Sequence, residues 1–190
     1  IQRFHTVLGL IYSERGTWTA GIPWQTGIYQ LEHAISTAGS RTRAEGFYQP
    51  LPDLKARLAH GYRRTNRARL ADSMFLQAAK AFLDSDDLPQ VRTMLDSIKA
   101  PPTVFAAERA RVVRVLDFRR KLADSSAVAC TSAGINAAAV NGTAPTILID
   151  GSRTTNVNDA FANRQRYKLM VDCIDRTSGV ARAKLAADAY

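Results

Sequence analysis

The chain has 190 residues, 46% apolar and 23% charged, which allows a sizeable core and excludes wholesale disorder. Its formal net charge of +9 implies an anionic partner surface. No apolar run approaches the roughly 20 residues that span a bilayer, and the two cysteines form no CxxC pair, which excludes a redox dithiol and a zinc knuckle.

The charge is uneven. Residues 41–69 carry eight bases and two acids, and residues 103–121 carry six and two. Arginine outnumbers lysine twenty to six, and its fork binds carboxylates and phosphates through two parallel hydrogen bonds. The chain starts at Ile1 rather than at methionine, so we expect a removed targeting segment and an organellar or extracytoplasmic setting.

Residues 6–13 are apolar and partly β-branched, consistent with a strand or with the first turns of a helix. Pro23 suits a helix start, and residues 24–35 continue it. Trp18 and Trp24 read as core or interface anchors. Residues 37–53 read as a loop punctuated by Pro50 and Pro52. A long helix is expected from about Leu54 to residue 84. Leu54, Leu58 and Tyr62 share one face, while Arg63, Arg64 and Arg67 point the opposite way with Arg57 on the flank. From Leu70 to Leu83 the apolar positions spread around the helix, as in an element buried among several neighbours.

Residues 85–87 end that helix and can cap the next, with Pro89 in its first turn. Val91, Met94, Leu95 and Ile98 form a clean stripe that Pro101-Pro102 stops. A further helix is expected over residues 104–123. Val112, Val115, Leu116 and Leu122 face inward, Arg114 and Arg120 face outward, and Arg111 and Arg119 fall on or beside the apolar stripe. Residues 124–146 read as loop, residues 146–149 as a strand, residues 159–174 as a last long helix, and the tail from Gly179 as alanine-rich and helical.

The fold expected from this pattern is mainly α: a four-to-five-helix bundle with a small β element near residues 6–13 and 147–150. One domain is expected overall. It has an N-terminal segment with a loop (1–53), a helical core (54–125), and a C-terminal part of loop, short strand and helix (126–190).

No HExxH, phosphate-cradling Gly-Lys-Ser loop, GxGxxG or GxSxG motif occurs. His5, His33 and His60 have no ligand-spaced partner in the sequence. Asp84, Asp86 and Asp87 cluster on a capping turn rather than in a calcium loop. No catalytic residue, cofactor or metal site is expected. Cys130 and Cys173 are either one disulfide or two buried thiols. The basic faces admit three readings: a solvated face, docking on an acidic protein surface, or nucleic-acid binding. The last is disfavoured because Tyr62, the one aromatic within the arginine cluster, lies on the apolar side.

Two segments resemble the PsbQ family of extrinsic lumenal photosystem II subunits. Phe47-Tyr48-Gln49-Pro50-Leu51-Pro52 is similar to the aromatic-Gln-Pro-Leu stretch before that family's first bundle helix. Lys80-Ala81-Phe82-Leu83 through Leu88-Pro89-Gln90-Val91 to Leu95 resembles the join between its first two helices. The resemblance covers about a quarter of the chain. It implies a non-catalytic, basic accessory subunit of a larger membrane-associated complex with an acidic surface, in the thylakoid lumen or another organellar space. A second resemblance lies in residues 141–151, where Ala144-Pro145-Thr146-Ile147 looks like the cis-proline loop and strand of DsbA-type thioredoxin folds. The turn from Ser13 to Trp24 contains no cysteine, so this resemblance implies a redox-inactive binding scaffold.

Both lead to a protein that works by contact. The expected docking residues are Arg57, Arg63, Arg64 and Arg67, helped by Arg111, Arg114, Arg119 and Arg120. Trp18, Trp24 and Tyr48 are the expected apolar anchors.

Overall fold

Proline has no N–H to lose at a helix start, and helix α1 (Ile22–Ala38) opens beside Pro23. Helix α2 (Leu51–Arg64) carries Asp53 in its first turn and Arg63 and Arg64 in its last, so its charges complement the helix dipole at both ends. Its apolar residues Leu54, Leu58 and Tyr62 are buried. The helix stops at Asn66, which takes φ 59°, a left-handed conformation that asparagine tolerates better than most residues. The Arg67 amide bonds the Tyr62 carbonyl at 2.9 Å and the Asn66 amide bonds that of Arg63 at 3.3 Å, the pairing of a Schellman C-cap.

Helix α3 (Ala68–Asp84) follows directly and ends the same way. Asp86 takes φ 66°, and the Asp87 amide reaches back to the Phe82 carbonyl at 3.0 Å. The Asp87 carboxylate then accepts from the Gln90 amide at 3.2 Å and starts helix α4 (Leu88–Asp96), with Pro89 in its first turn. The segment resembling the PsbQ join is therefore this α3–α4 turn. Helix α5 (Ala106–Ala123) comes next. The Thr131 hydroxyl accepts from the Gly134 amide at 3.1 Å at the start of helix α6 (Ser132–Val140). Helix α7 (Ala160–Arg176) and helix α8 (Gly179–Ala189) are separated at Gly179, whose φ of 59° suits glycine.

The computed structural model describes residues 5, 7–11, 22–38, 51–101, 103–124, 130–140 and 160–189. The chain divides into two compact units, Ile1–Ala106 and Ala107–Tyr190. In the first unit α2 packs on both α1 and α3, and α3 packs on α4. Leu31, Leu54, Leu58, Phe75, Leu83 and Val91 fill its core. Residues 7–11 are helical and lie against α1: a Cβ on Gly9 would stand 2.8 Å from the Leu31 side chain, so glycine permits the approach. The Tyr62 hydroxyl donates to Glu32 and ties α2 to α1.

In the second unit α6 and α8 each pack on α7. Ile135, Phe161, Leu169 and Met170 are buried there. Cys130 and Cys173 are joined in a disulfide, with Cα atoms 5.5 Å apart. Arg176 Nη1 donates to the Leu122 carbonyl at 2.6 Å, satisfying one of the open carbonyls at the end of α5.

The mainly α class holds, and several finer expectations need correction. Residues 7–11 are helical rather than a strand, and no strand occurs among the described residues. Residues 147–150 and Pro145 lie outside them. Helices outnumber the expected four or five, because the single long helix over 54–84 is two, broken at Asn66. Residues 132–140 form a helix where a loop was expected: alanine is the best helix former, and Thr131 supplies the cap. Leu70 is 50% exposed rather than buried. Among the described residues, no helix is long and apolar enough to cross a membrane.

Candidate functional site

The break at Asn66 places the first arginine cluster on a turn instead of a continuous helix. Arg57 is half-buried on α2, Arg64 ends α2, Arg67 occupies the N-cap position of α3, and Arg69 lies in the first turn of α3; the last three are exposed. Arg57 and Arg64 also interact within the chain.

Arg63, expected on the outer face, turns inward. Its Nη2 donates to Asp72 Oδ1 at 2.5 Å and to the Ser97 carbonyl at 3.0 Å, and its guanidinium carbon lies 5.5 Å from the centre of the Phe75 ring. Asp72 is 3% exposed and is fully used. Its two oxygens also accept the backbone N–H groups of Lys99 and Ala100, each at 3.0 Å. One carboxylate thus joins the end of α2, the body of α3 and the strap after α4. This satisfaction is what makes a buried charge tolerable. Arg63 is neutralised by its own chain, so it leaves the docking set.

Two of the remaining bases, Arg67 and Arg69, sit where the local backbone opposes them. A helix N-terminus carries roughly half a positive charge, and a cation there costs on the order of 0.3–1 kcal/mol. Yet α3 begins with Arg67 and Arg69, has no acidic residue in its first turn, and gets no side-chain cap from Arg67. His60 registers the same field. Partial desolvation, with its ring edge-on to Phe75 at 5.0 Å, lowers its pKa first; the charges of Arg64, Arg63 and Arg57 lower it further. Beside the turn lies a cleft of about 480 Å³ lined by Arg63, Arg69, Asp72, Lys99, Val104 and Phe105. Leu70, exposed next to Arg69, adds an apolar contact point.

The second set of arginines, on α5, is not one surface. Arg120 is exposed, Arg111 and Arg114 are half-buried, and Arg119 is buried at 7% exposure. Arg111 and Arg119 interact within the chain. Arg114, expected to face outward, instead lines a groove with Asp117, Phe118 and Lys121 of α5 and Gly134, Ala137 and Ala138 of α6. Its Nε and Nη2 are closed off from solvent and meet no hydrogen-bond acceptor. Of the expected aromatic anchors, Trp24 lies in the first turn of α1, and Trp18 and Tyr48 lie outside the described residues.

The fold also brings together residues that the sequence keeps apart. His5 and His33 stack at 5.0 Å, Tyr29 meets His33 edge-on at 4.4 Å, and His5 Nδ1 lies 2.5 Å from Gln30 Oε1. Among the described residues no group of three or more histidine, cysteine or acidic side chains surrounds a point where a metal would sit. The Arg63–Asp72 node went unread because the two residues are nine apart across an unrecognised turn. Asn66 was the available signal, since asparagine is common at a left-handed C-cap. Comparison with protein-family models, with curated proteins and with solved structures finds no match to this chain.

Proposed function

We propose that this protein is a non-catalytic accessory subunit that docks through its α2–α3 turn onto an acidic surface of a larger membrane-associated protein complex. The observation that carries the reading is the concentration of exposed arginines at the positive end of α3. Arg67 and Arg69 work against the helix they start, and Arg64 and Arg57 add to the same field. An anionic host converts that local penalty into attraction, because backbone N–H groups and guanidinium groups then face the same charge. Leu70, exposed and next to Arg69 in sequence, supplies an apolar contact. Arg63 holds the turn in shape from within.

The setting, an organellar space such as the thylakoid lumen, follows from the PsbQ resemblance and is part of the proposal. A protein host is preferred to a nucleic acid because, among the described residues, no exposed Phe, Tyr or Trp lies among these bases to stack on a nucleotide.

The test is binding to the host complex in native membranes under rising NaCl, comparing the parent with a variant in which Arg57, Arg64, Arg67 and Arg69 are all glutamine. At about 0.5 kcal/mol per charge the variant binds about thirtyfold more weakly, and the parent is released by salt. Equal affinity of the two chains, with unchanged far-UV circular dichroism, would refute docking by this turn. A linear log–log salt dependence with DNA or RNA, and no binding to the membranes, would establish the nucleic-acid reading in its place.

A further inference from the structure

We propose that the cleft beside the α2–α3 turn receives an acidic peptide segment of the partner: one apolar side chain enters it, and the flanking carboxylates pair with Arg69 and Lys99. This inference rests on the docking reading above and names the chemistry of the partner's contacting segment.

Two stretches distant in sequence build the cleft. Helix α3 contributes Arg69 and Asp72, and the strap after α4 contributes Lys99, Val104 and Phe105. Asp72 draws them together, because it accepts the amides of Lys99 and Ala100, each at 3.0 Å. The Val104 amide bonds the Pro101 carbonyl at 2.9 Å and turns the strap, and Phe105 takes φ 57°, a conformation rare for a bulky residue. All of these residues belong to the first unit. The cavity is about 480 Å³, within the range of small-ligand sites.

The charges of the cleft are matched inside and unmatched outside. Asp72 is buried, accepts three hydrogen bonds and neutralises Arg63, so it offers nothing to a cation. Arg69 and Lys99 are exposed, and among the described residues neither side chain forms an ion pair. Three bases against one acid leave the cleft with two net positive charges, both where a partner can reach them. The open end of α3 adds to the same sign.

The walls narrow the occupant. Val104 and Phe105 are half-buried, so part of each meets water and can be covered. The remaining lining residues are alanines, and among the described residues no neutral polar side chain lines the cleft. It offers no such side chain to read the edge of a base or the hydroxyls of a sugar. A bare inorganic anion would meet the two bases but leave Val104 and Phe105 wet. A phenylalanine or leucine between acidic residues satisfies both features at once: the carboxylates meet Arg69 and Lys99, and the apolar side chain covers Val104 and Phe105.

The probe is an acetylated and amidated peptide, one phenylalanine flanked by two glutamates on each side. It is titrated into the 15N-labelled, disulfide-intact full chain and followed by amide shifts. Saturable shifts confined to residues 68–72 and 99–105 are expected. Replacing the peptide's phenylalanine by alanine should weaken binding about tenfold. Replacing its glutamates by glutamine should weaken binding about fivefold. Lys99→Glu lies outside the arginine set and keeps the backbone bond to Asp72; it should weaken the phenylalanine peptide about tenfold. Phe105→Asn installs a residue that tolerates the left-handed backbone. It should weaken the phenylalanine peptide and leave the alanine peptide unchanged, a coupling that surface charge alone does not produce. In native membranes both variants should leave the host at lower salt than the parent. If both stay bound like the parent while the four-glutamine variant is released, the cleft is overturned and the docking turn stands. If the parent binds no host but the peptide coupling holds, the membrane host is lost and the cleft stands as a peptide site. The proposal also fails if peptide shifts do not saturate, if the alanine peptide binds the parent equally well, or if Lys99→Glu binds unchanged. Displacement of the peptide by inorganic phosphate or ATP at the same residues would put a phosphate site in its place.

Discussion

Asp72→Ala gives the sharpest test of how the basic turn is built. The Asp72 side chain is 5% exposed and accepts three hydrogen bonds, from Arg63 Nη2, Lys99 N and Ala100 N. Alanine removes all three at once and leaves a guanidinium whose side chain is 23% exposed without its counter-charge. Breaking a buried ion pair from one side costs about 3–5 kcal/mol. The lower end applies here, about 3 kcal/mol, because Arg63 keeps its bond to Ser97 and has some access to water. With a urea m-value of about 2 kcal/mol/M, the midpoint should fall by about 1.5 M in far-UV circular dichroism. The double variant Arg63→Met/Asp72→Leu should lose less than the sum of its single variants, because neither charge is left alone. If Asp72→Ala unfolds within about 0.5 kcal/mol of the parent, or if the double variant is additive, the node does not hold the turn and Arg63 returns to the docking surface.

Two further outcomes are expected. Reducing Cys130–Cys173 frees a loop with a sequence separation of 43, so the chain-entropy relation gives about 4 kcal/mol lost from the second unit. An unchanged melting temperature after reduction and alkylation would contradict this. His60 has a lowered pKa, so the unfolded chain binds more protons as pH falls through about 6.5, and stability drops over that interval until the lower folded value is passed. His60→Gln should flatten this part of the profile of melting temperature against pH. Parallel profiles for parent and variant would show that neither desolvation nor the neighbouring arginines shift His60 enough to matter.

Much of the local structure was readable because its causes are local. Leu54, Leu58 and Tyr62 step by four, and all three are buried on one face of α2. Asp87 and Pro89 announce the start of α4 through capping rules that need no tertiary context. The alanine-rich tail is helical for the same reason. Where the reading failed locally, one polar residue carried the cue: at Asn66 the apolar pattern around it outweighed it, and at Thr131 the small, polar composition of residues 124–146 hid the cap.

Composition, periodicity and caps alone determined that this chain is helical, basic, and charged in two separate stretches, because those properties depend on residues within a few positions of one another. Which arginines are available to a partner was decided only by the fold. Arg63 and Arg64 are neighbours in sequence with the same chemistry. One is bound to a buried carboxylate that also holds the amides of Lys99 and Ala100, and the other interacts within the chain while its side chain stays exposed. The difference comes from the left-handed turn at Asn66, which carries α3 back against α2 and sets Asp72 beside one guanidinium. The stacked His5 and His33 and the acceptor-free edge of Arg114 are likewise products of packing between distant segments, and no spacing rule along the chain encodes them.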